Sequence, residues 1–261
     1  MKRGAYSTHA VVLNSVDYAE SDRILTFFTR EHGKLSGIAK GARRSKKRFV
    51  GKLDPASALK LNFFHNGAQD LVRIDGADLI NGFSDVKSDI HRYSAACYLL
   101  ELTSEMTREG QDLPAVYGLL SGFLSLMNAG ASSEALMRFF EIRLLDQVGL
   151  LPRFDSCASC GKGLLESGAE AAFRIRFDST RGGAICHGCT RGLSTHVSIC
   201  PGTARFMAAA SRYDEDKLDR LKPGPLFLEE SERALDDFIT HQIGKQMKTK
   251  RFFIKLKGTL L

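Results

Sequence analysis

Residues 23–39 have the sequence RILTFFTREHGKLSGIA. Arg23–Thr29 is rich in β-branched and aromatic residues and predicts a strand; the turn signal Glu31-His32-Gly33-Lys34 follows, and Leu35–Ala39 predicts a second strand. Further strands are predicted on either side of this pair, at Ala10–Leu13, at Ala58–Phe64, and at Leu71–Ile74 continued by Leu79–Ile80. Five short strands within residues 1–82 favour a small closed barrel, because closure buries a core and leaves few free strand edges.

The spacing of apolar residues changes after about residue 85. Between Ile90 and Met106 they recur at every third or fourth position, which predicts a helix that Gly110 closes. Further helices are predicted at about 113–128, 134–148, 203–211 and 229–243. We therefore expect an α+β protein with a barrel domain at 1–82 and an all-α helical domain at 83–261, interrupted by a cysteine-bearing insertion at about 155–192.

The net charge of +7 is unevenly distributed along the chain. Residues 1–82 contain 14 lysines and arginines against 8 acidic residues, whereas residues 83–240 contain 17 against 22. The last 21 residues contain six basic and no acidic residues. Basic ends around an acidic middle favour a polyanionic partner, although two ordinary solvated basic surfaces would give the same pattern.

The densest positive charge lies between the third and fourth predicted strands. Six of nine residues there are basic: Lys40, Arg43, Arg44, Lys46, Lys47 and Arg48. Gly41 and Ser45 indicate a flexible loop, and cations on such a loop suit contacts with phosphates that carry little base preference. We predict that these six residues, with Lys34 from the preceding turn, bind nucleic acid. A basic run by itself is usually a solvated surface loop. Because this run belongs to a predicted barrel, nucleic-acid binding is the better interpretation.

Aromatic residues in the barrel region offer possible stacking surfaces for bases, but a small barrel also needs such volume in its interior. We expect most of them to be core residues: Phe27, Phe28, Phe49, Phe63 and Phe64. The basic tail at 245–257 could contact nucleic acid or form a helix that folds back. We expect Phe252, Phe253 and Ile254 to fold back, and leave the role of the lysines open.

Four of the six cysteines form two pairs, Cys157-Ala-Ser-Cys160 and Cys186-His-Gly-Cys189, separated by 25 residues. Two such turns can supply four thiolates to one tetrahedral zinc ion, and a complete thiolate set leaves no open position for water. We therefore predict one structural Zn²⁺, with Cys97 and Cys200 uninvolved and His187 facing solvent. Reduced free thiols are the alternative, and a redox role is weaker because neither pair begins a helix after a strand.

Several classes of function are disfavoured by what the sequence lacks. It contains no GxxxxGK[ST], HExxH or GxSxG motif, and we expect no enzymatic activity. It has no apolar run of membrane-spanning length, and its first residues lack the apolar stretch of a secretory signal. We expect a soluble intracellular protein that does not associate with a membrane.

Three segments of the N-terminal region resemble the RecO family of bacterial DNA repair and recombination mediators. They are Glu20-Ser-Asp-Arg-Ile-Leu-Thr, Thr29-Arg-Glu-His-Gly-Lys-Leu and Ala39-Lys-Gly-Ala-Arg-Arg. The cysteine region resembles the same family in two further segments, Gly149-Leu-Leu-Pro-Arg-Phe-Asp-Ser-Cys-Ala-Ser-Cys-Gly and Gly182-Gly-Ala-Ile-Cys-His-Gly-Cys. The similar segments occur in the same order along the whole chain.

This resemblance implies an OB-fold followed by a helical domain with a zinc-ribbon-like insertion. It also implies binding of single- and double-stranded DNA and annealing of complementary strands. The partners that the resemblance implies are RecR and the acidic C-terminal tail of the single-stranded-DNA-binding protein. The implied location is the bacterial cytoplasm, at the nucleoid. Some members of the family lack the cysteines, so the resemblance by itself does not require zinc. The alternatives are a zinc-dependent interaction or regulatory module that binds nucleic acid incidentally, and a hydrolase with an unrecognised site.

Overall fold

The computed structural model describes residues 1–67, 71–131, 133–165, 174–192, 197–212 and 222–258. Contacts along the chain divide it into two units. The first consists of Met1–Ala131 together with Met247–Leu261, and the second of Ser132–Gln246. The first unit therefore contains all the predicted strands of the barrel, and the second contains the cysteine pairs.

Five strands form a closed barrel in the first unit: β1 (Gly4–Tyr18), β2 (Asp22–Thr29), β3 (Gly33–Ala39), β4 (Ala58–His65) and β5 (Leu71–Asn81). Their order is β1-β2-β3-β5-β4, and β1 pairs with both β2 and β4. All pairs are antiparallel except β3 with β5, which run parallel. This arrangement is an OB-fold barrel, so the predicted fold class is confirmed.

The first unit continues with four helices: α1 (Ser84–Ser88), α2 (Ile90–Met106), α3 (Pro114–Asn128) and, from the C-terminal segment, α7 (Lys248–Gly258). Helix α2 begins at Asp89, whose side chain accepts hydrogen bonds from the backbone N–H groups of His91 and Arg92. Helix α7 begins where the Glu101 carboxylate of α2 accepts hydrogen bonds from the N–H groups of Lys248 and Thr249, at 3.1 and 2.8 Å. The cap therefore joins the C-terminal segment to the barrel unit.

Alternation along β1 and β2 builds the barrel core. Ala10 and Val12 of β1 and Leu25 and Phe27 of β2 are fully buried in the interior cluster. Val11 and Phe28, which pair across the two strands, are also fully buried. They lie on the outer side of the strands, where α2 and α3 pack against the barrel.

The second unit contains α4 (Ser133–Gln147), β6 (Ile175–Asp178), β7 (Gly183–Ile185), β8 (Val197–Ile199), α5 (Pro201–Arg212) and α6 (Pro225–Ile243). The three strands form an antiparallel sheet in the order β7-β6-β8. The alternating residues Phe173-Arg-Ile-Arg-Phe177 between the cysteine pairs favour a strand, and β6 begins at Ile175, while Phe173 lies outside the described residues.

The change from strands to helices falls between Asn81 and Ser84, where the sequence analysis placed its domain boundary. The contact-based grouping places α1, α2, α3 and α7 with the barrel, so a division into domains at 82 and 83 stays a prediction. No helix among the described residues is both long and apolar enough to span a membrane.

The tail differs from its prediction at two residues. Phe253 is buried against the barrel unit, as expected, but Phe252 and Ile254 are 51% and 48% exposed. Successive residues of a helix point about 100° apart, so three in a row cannot all face one neighbour. The expectation was right for Phe253 and wrong for the two residues beside it.

Gly33, the first residue of β3, provides a test of the packing around the barrel. Gly33 has φ of 60°, and a Cβ atom at this position would lie 1.9 Å from the carbonyl oxygen of Gln111. Gly33→Ala should therefore lower the free energy of unfolding by about 2–4 kcal/mol through backbone strain and overpacking. Chemical denaturation followed by circular dichroism measures the change.

Gly76→Ala is the matched control, because Gly76 lies in β5 without a positive φ and a Cβ there meets nothing within 4 Å. It should change the free energy of unfolding by less than about 0.5 kcal/mol. Equal effects of the two substitutions would contradict the close packing at Gly33.

Candidate metal centre and nucleic-acid interface

Two tight turns present the paired cysteines. In the first turn, the Gly161 N–H donates to the Cys157 carbonyl at 2.8 Å, and Gly161 adopts φ of 76°. In the second, Cys186 follows β7 and the Cys189 N–H donates back to the Cys186 carbonyl at 3.0 Å. A hydrogen bond of 2.8 Å from the Ala158 N–H to the carbonyl of Ala184 holds the two turns together.

The four sulfur atoms of Cys157, Cys160, Cys186 and Cys189 all lie within 4.8 Å of one another. The Sγ atoms of Cys160 and Cys186 are 3.7 Å apart. A tetrahedral site with metal–sulfur bonds of about 2.3 Å has sulfur–sulfur edges of about 3.8 Å. The cluster therefore has the donor atoms and spacing to hold a metal ion, as the cysteine spacing predicted.

The other metal-ligating side chains of this region stand apart from the cluster. Cys97 and Cys200 are not part of any group of metal-ligating side chains among the described residues, and the Cys200 sulfur contacts the Thr203 hydroxyl at 3.2 Å. His187, between the second pair of cysteines, is exposed and also lies outside the four-sulfur group.

The thiols have different tendencies to ionise. Burial opposes ionisation of Cys157, but N–H groups of Cys186, Cys160 and Ser159 point at its sulfur and lower its pKa to about 6. The neighbouring thiols of Cys186 and Cys160 raise the pKa of Cys189 to about 12. Four thiolates this close repel one another, so a bound cation is what allows all four to lose their protons.

Two residues that the sequence analysis did not select support the second turn. The Arg181 guanidinium donates to the carbonyls of Cys189 and Arg191, at 2.9 and 3.1 Å. The Asp178 carboxylate accepts from the N–H groups of Thr180 and Arg181 and closes the turn after β6. An Asp that accepts from the backbone two residues further on is a turn signal that the sequence contains. The carbonyls that Arg181 contacts lie eight and ten residues further along the chain, and no sequence pattern marks them.

The predicted basic loop follows β3 and contains a 3₁₀ turn at Ala42–Arg44. Lys40, Arg43, Arg44, Lys46, Lys47 and Arg48 all lie on its exposed surface. Two cations of the loop form ion pairs: Arg43 lies 3.4 Å from the Asp17 carboxylate near the end of β1, and Arg44 lies 3.2 Å from the Glu20 carboxylate in the β1–β2 connection. These ion pairs are exposed and weak, so the cations remain accessible to a stronger polyanion.

The loop has a defined shape, contrary to the expectation that Gly41 and Ser45 make it flexible. Gly41 adopts φ of 67° and its N–H donates to the Asp22 carboxylate at 2.8 Å. The Ser45 hydroxyl accepts from the N–H groups of Arg48 and Phe49. Phe49 is buried in the barrel core and the Arg48 guanidinium lies 4.4 Å from the centre of its ring. The loop is therefore anchored at both ends.

Lys34 lies on β3, and its ammonium contacts the end of α2. Its Nζ donates to the carbonyls of Ser104 and Thr107, at 2.6 and 2.5 Å, at the C-terminal end of α2. Burial lowers the pKa of Lys34, and the nearby carboxylates of Glu109 and Glu105 oppose this effect. The structure gives Lys34 a role in joining α2 to the barrel, and its contact with nucleic acid stays a prediction.

The barrel aromatics are largely core residues, as expected. Phe27, Phe28, Phe49 and Phe63 are buried. Phe64 is only half-buried on the outer surface of β4, where the Arg73 guanidinium lies 5.2 Å from its ring centre. Base stacking on the first four is therefore excluded by their burial.

An OB-fold barrel with a cationic surface loop, together with an insertion whose four cysteines could hold a metal ion, places the chain in a class of OB-fold proteins with a four-cysteine insertion. The chain matches the family model described as recombination protein O N terminal over residues 1–83 and the model described as recombination protein O C terminal over residues 87–251. The chain therefore belongs to the RecO family.

Individual relatives agree along nearly the whole chain, and each is named DNA repair protein RecO. A protein of Myxococcus xanthus is 36% identical over 252 residues, covering 96% of this chain and 98% of its own length. A protein of Anaeromyxobacter sp. is 35% identical over 254 residues, covering 96% of both chains. One from Syntrophus aciditrophicus is 33% identical over 249 residues, covering 95% and 94%.

The cysteine cluster leads to a prediction about metal content. Protein purified without chelators should contain about one equivalent of metal, because four thiolates complete one tetrahedral site. Cys160→Ser should lose most of this metal and should loosen residues 155–165 and 174–192 more than the barrel, since metal binding and local folding are coupled. Elemental analysis and hydrogen exchange measure the two effects.

Cys97→Ser is the control, because it removes a half-buried thiol outside the cluster. It should keep the full metal content. Metal-free wild-type protein, or a Cys160→Ser variant with an unchanged metal content, would contradict the assignment.

Proposed function

We propose that this protein mediates DNA repair and homologous recombination by binding single- and double-stranded DNA and annealing complementary strands. Membership of the RecO family supports the role in repair and recombination. The observation that carries the DNA-binding part is the anchored loop of six exposed cations on an OB-fold barrel. We further propose that the protein acts with RecR and the single-stranded-DNA-binding protein in the cytoplasm, at the nucleoid.

Annealing requires a surface that neutralises two phosphate backbones and leaves the bases free to pair. Cations on a loop fit this task because they release counterions from phosphates without contacting base edges. When no polyanion is bound, Arg43 and Arg44 form ion pairs with the carboxylates of Asp17 and Glu20. DNA then replaces weak, exposed ion pairs, which limits the energetic penalty of binding.

The cysteine cluster is proposed to hold one Zn²⁺ as a structural ion. Zinc would be bound by Cys157, Cys160, Cys186 and Cys189, and a full thiolate set offers no open coordination position for chemistry. Arg181 and Asp178 then keep the second cysteine turn in place. This assignment fits a protein that is not an enzyme, and a hydrolase would require a different site.

Removing charge from the loop tests the proposal. Changing Arg43, Arg44, Lys46 and Lys47 together to Ala should weaken DNA binding and flatten the logarithmic salt dependence on single strands. If about three phosphates are contacted, the slope should change by about 2, at about 0.7 per phosphate. Fluorescence anisotropy with oligonucleotides of different sequence measures both, and affinity should be nearly independent of sequence.

Glu20→Gln is a control that should change the affinity for DNA in the opposite direction. It frees Arg44 from its ion pair without adding a positive side chain, so DNA binding should become tighter. Unchanged affinity and slope in the four-residue variant would show that the loop is an ordinary solvated surface. An incidental nucleic-acid binder would bind DNA without accelerating annealing, and a hydrolase would degrade DNA when magnesium is added.

A second prediction concerns the protein partner. The acidic C-terminal tail of the single-stranded-DNA-binding protein should bind the helical region even though residues 83–240 carry an excess of acidic residues. Local basic side chains must then outweigh the net negative charge of this region, so the affinity for the acidic peptide should fall as the salt concentration rises. Titrating the full chain with a synthetic peptide of that tail tests this, with the amidated, uncharged peptide as control. No binding at low salt would contradict the proposal.

A further inference from the structure

A second group of basic side chains lies on the outer surface of the barrel, apart from the loop at 40–48. His9 of β1 pairs directly with Lys60 of β4. On the other side of β1, the Arg30 N–H donates to the His9 carbonyl at 2.9 Å, which places Arg30 beside His9. All three side chains are exposed. Three neighbouring positions on three adjacent segments of the barrel therefore carry basic side chains.

The strands gain no opposite-charge pair at this place. Arg30 and Lys60 put two permanent positive charges on the two neighbours of His9. Among the described residues, no carboxylate lies within ion-pair distance of the Arg30 guanidinium or the Lys60 ammonium. Cations left without an internal partner are expected where a ligand supplies the opposite charge.

The group surrounds a shallow cavity of about 130 Å³, lined by Ser7, Thr8, His9, Arg30, Glu31 and Lys60. This volume exceeds the roughly 30 Å³ that one water molecule occupies in the liquid, so an anion as large as a phosphate group fits. The single carboxylate in the lining, Glu31, accepts a hydrogen bond from the Thr8 hydroxyl. Two permanent cations, an imidazole and the Ser7 hydroxyl therefore line one small space, together with the Glu31 carboxylate that the Thr8 hydroxyl binds.

The lining residues favour a nucleic-acid backbone over an acidic peptide. None of the large exposed apolar side chains in the described part of the chain belongs to this cavity. Peptide recognition normally depends on apolar anchors in pockets, whereas phosphate recognition depends on Arg, Lys and hydroxyl donors.

We propose that Arg30, Lys60 and His9 form a second site for the phosphodiester backbone of a nucleic-acid strand. The inference rests on the proposed function, since it assigns a second strand-binding surface to an annealing protein. His9 lies eight residues before Asp17, which contacts the basic loop, so the two surfaces are about 25 Å apart along β1. This separation exceeds the Debye length of about 8 Å at physiological salt, and the two surfaces should contribute independently.

The test compares three variants of the full chain in oligonucleotide binding across a range of salt concentrations. Arg30→Gln with Lys60→Gln should reduce the logarithmic salt slope on single strands by about 1.4, because two phosphate contacts are lost. Glu31→Gln should tighten binding, since it removes the one carboxylate of the lining while its amide oxygen can still accept from Thr8. Lys2→Gln with Arg108→Gln removes the same total charge from exposed positions outside both surfaces and should leave the slope unchanged.

Each outcome separates this inference from the proposed function. If the loop variant loses DNA binding but the Arg30 and Lys60 variant matches wild type, the second site is wrong and the proposed function stands. A loss of equal size in the Lys2 and Arg108 control would show an effect of net charge alone and would overturn the site. An Arg30 and Lys60 variant that loses acidic-peptide binding yet keeps its DNA slope would also overturn it. Wild-type protein that binds no DNA would overturn both proposals.

Discussion

The pairing of β1 with β2 along one edge and β4 along the other closes the barrel, and both candidate nucleic-acid surfaces depend on it. The inward side chains of β1 fill the core, while its outward side chains include His9. At its far end, Asp17 contacts the basic loop, which returns to the core through Phe49. One strand therefore sets the barrel interior, the position of the loop and the distance between the two basic surfaces.

Features that depend on short sequence spacing could be predicted. Short runs rich in apolar, β-branched and aromatic residues indicated the barrel strands. Helical periodicity from Ile90 indicated α2, which ends at Met106, four residues before the predicted stop at Gly110. The cysteine cluster could be predicted because two short turns each fix a pair of sulfur atoms, and only one further contact, between Ala158 and Ala184, is needed to join them. These properties are local, so they can be predicted without knowledge of the tertiary structure.

Features that depend on partners distant in sequence could not be predicted. Lysine is a residue type that commonly binds phosphate, but the ammonium of Lys34 binds the carbonyls of Ser104 and Thr107, some 70 residues away. Strand β1 extends to Tyr18, beyond the predicted Leu13, because pairing with β2 supports a polar stretch that propensity alone does not favour. The grouping of Arg30, His9 and Lys60 likewise exists only through strand register.

The central claim is that the protein brings complementary strands together, which goes beyond binding one strand. The most direct test is the annealing rate of complementary oligonucleotides coated with the single-stranded-DNA-binding protein, measured by fluorescence quenching with and without this protein. The account predicts that the protein accelerates annealing of coated strands and that the acceleration falls as salt rises, because phosphate contacts carry it. Tight binding to the strands with an annealing rate equal to that of the coated DNA alone would contradict it.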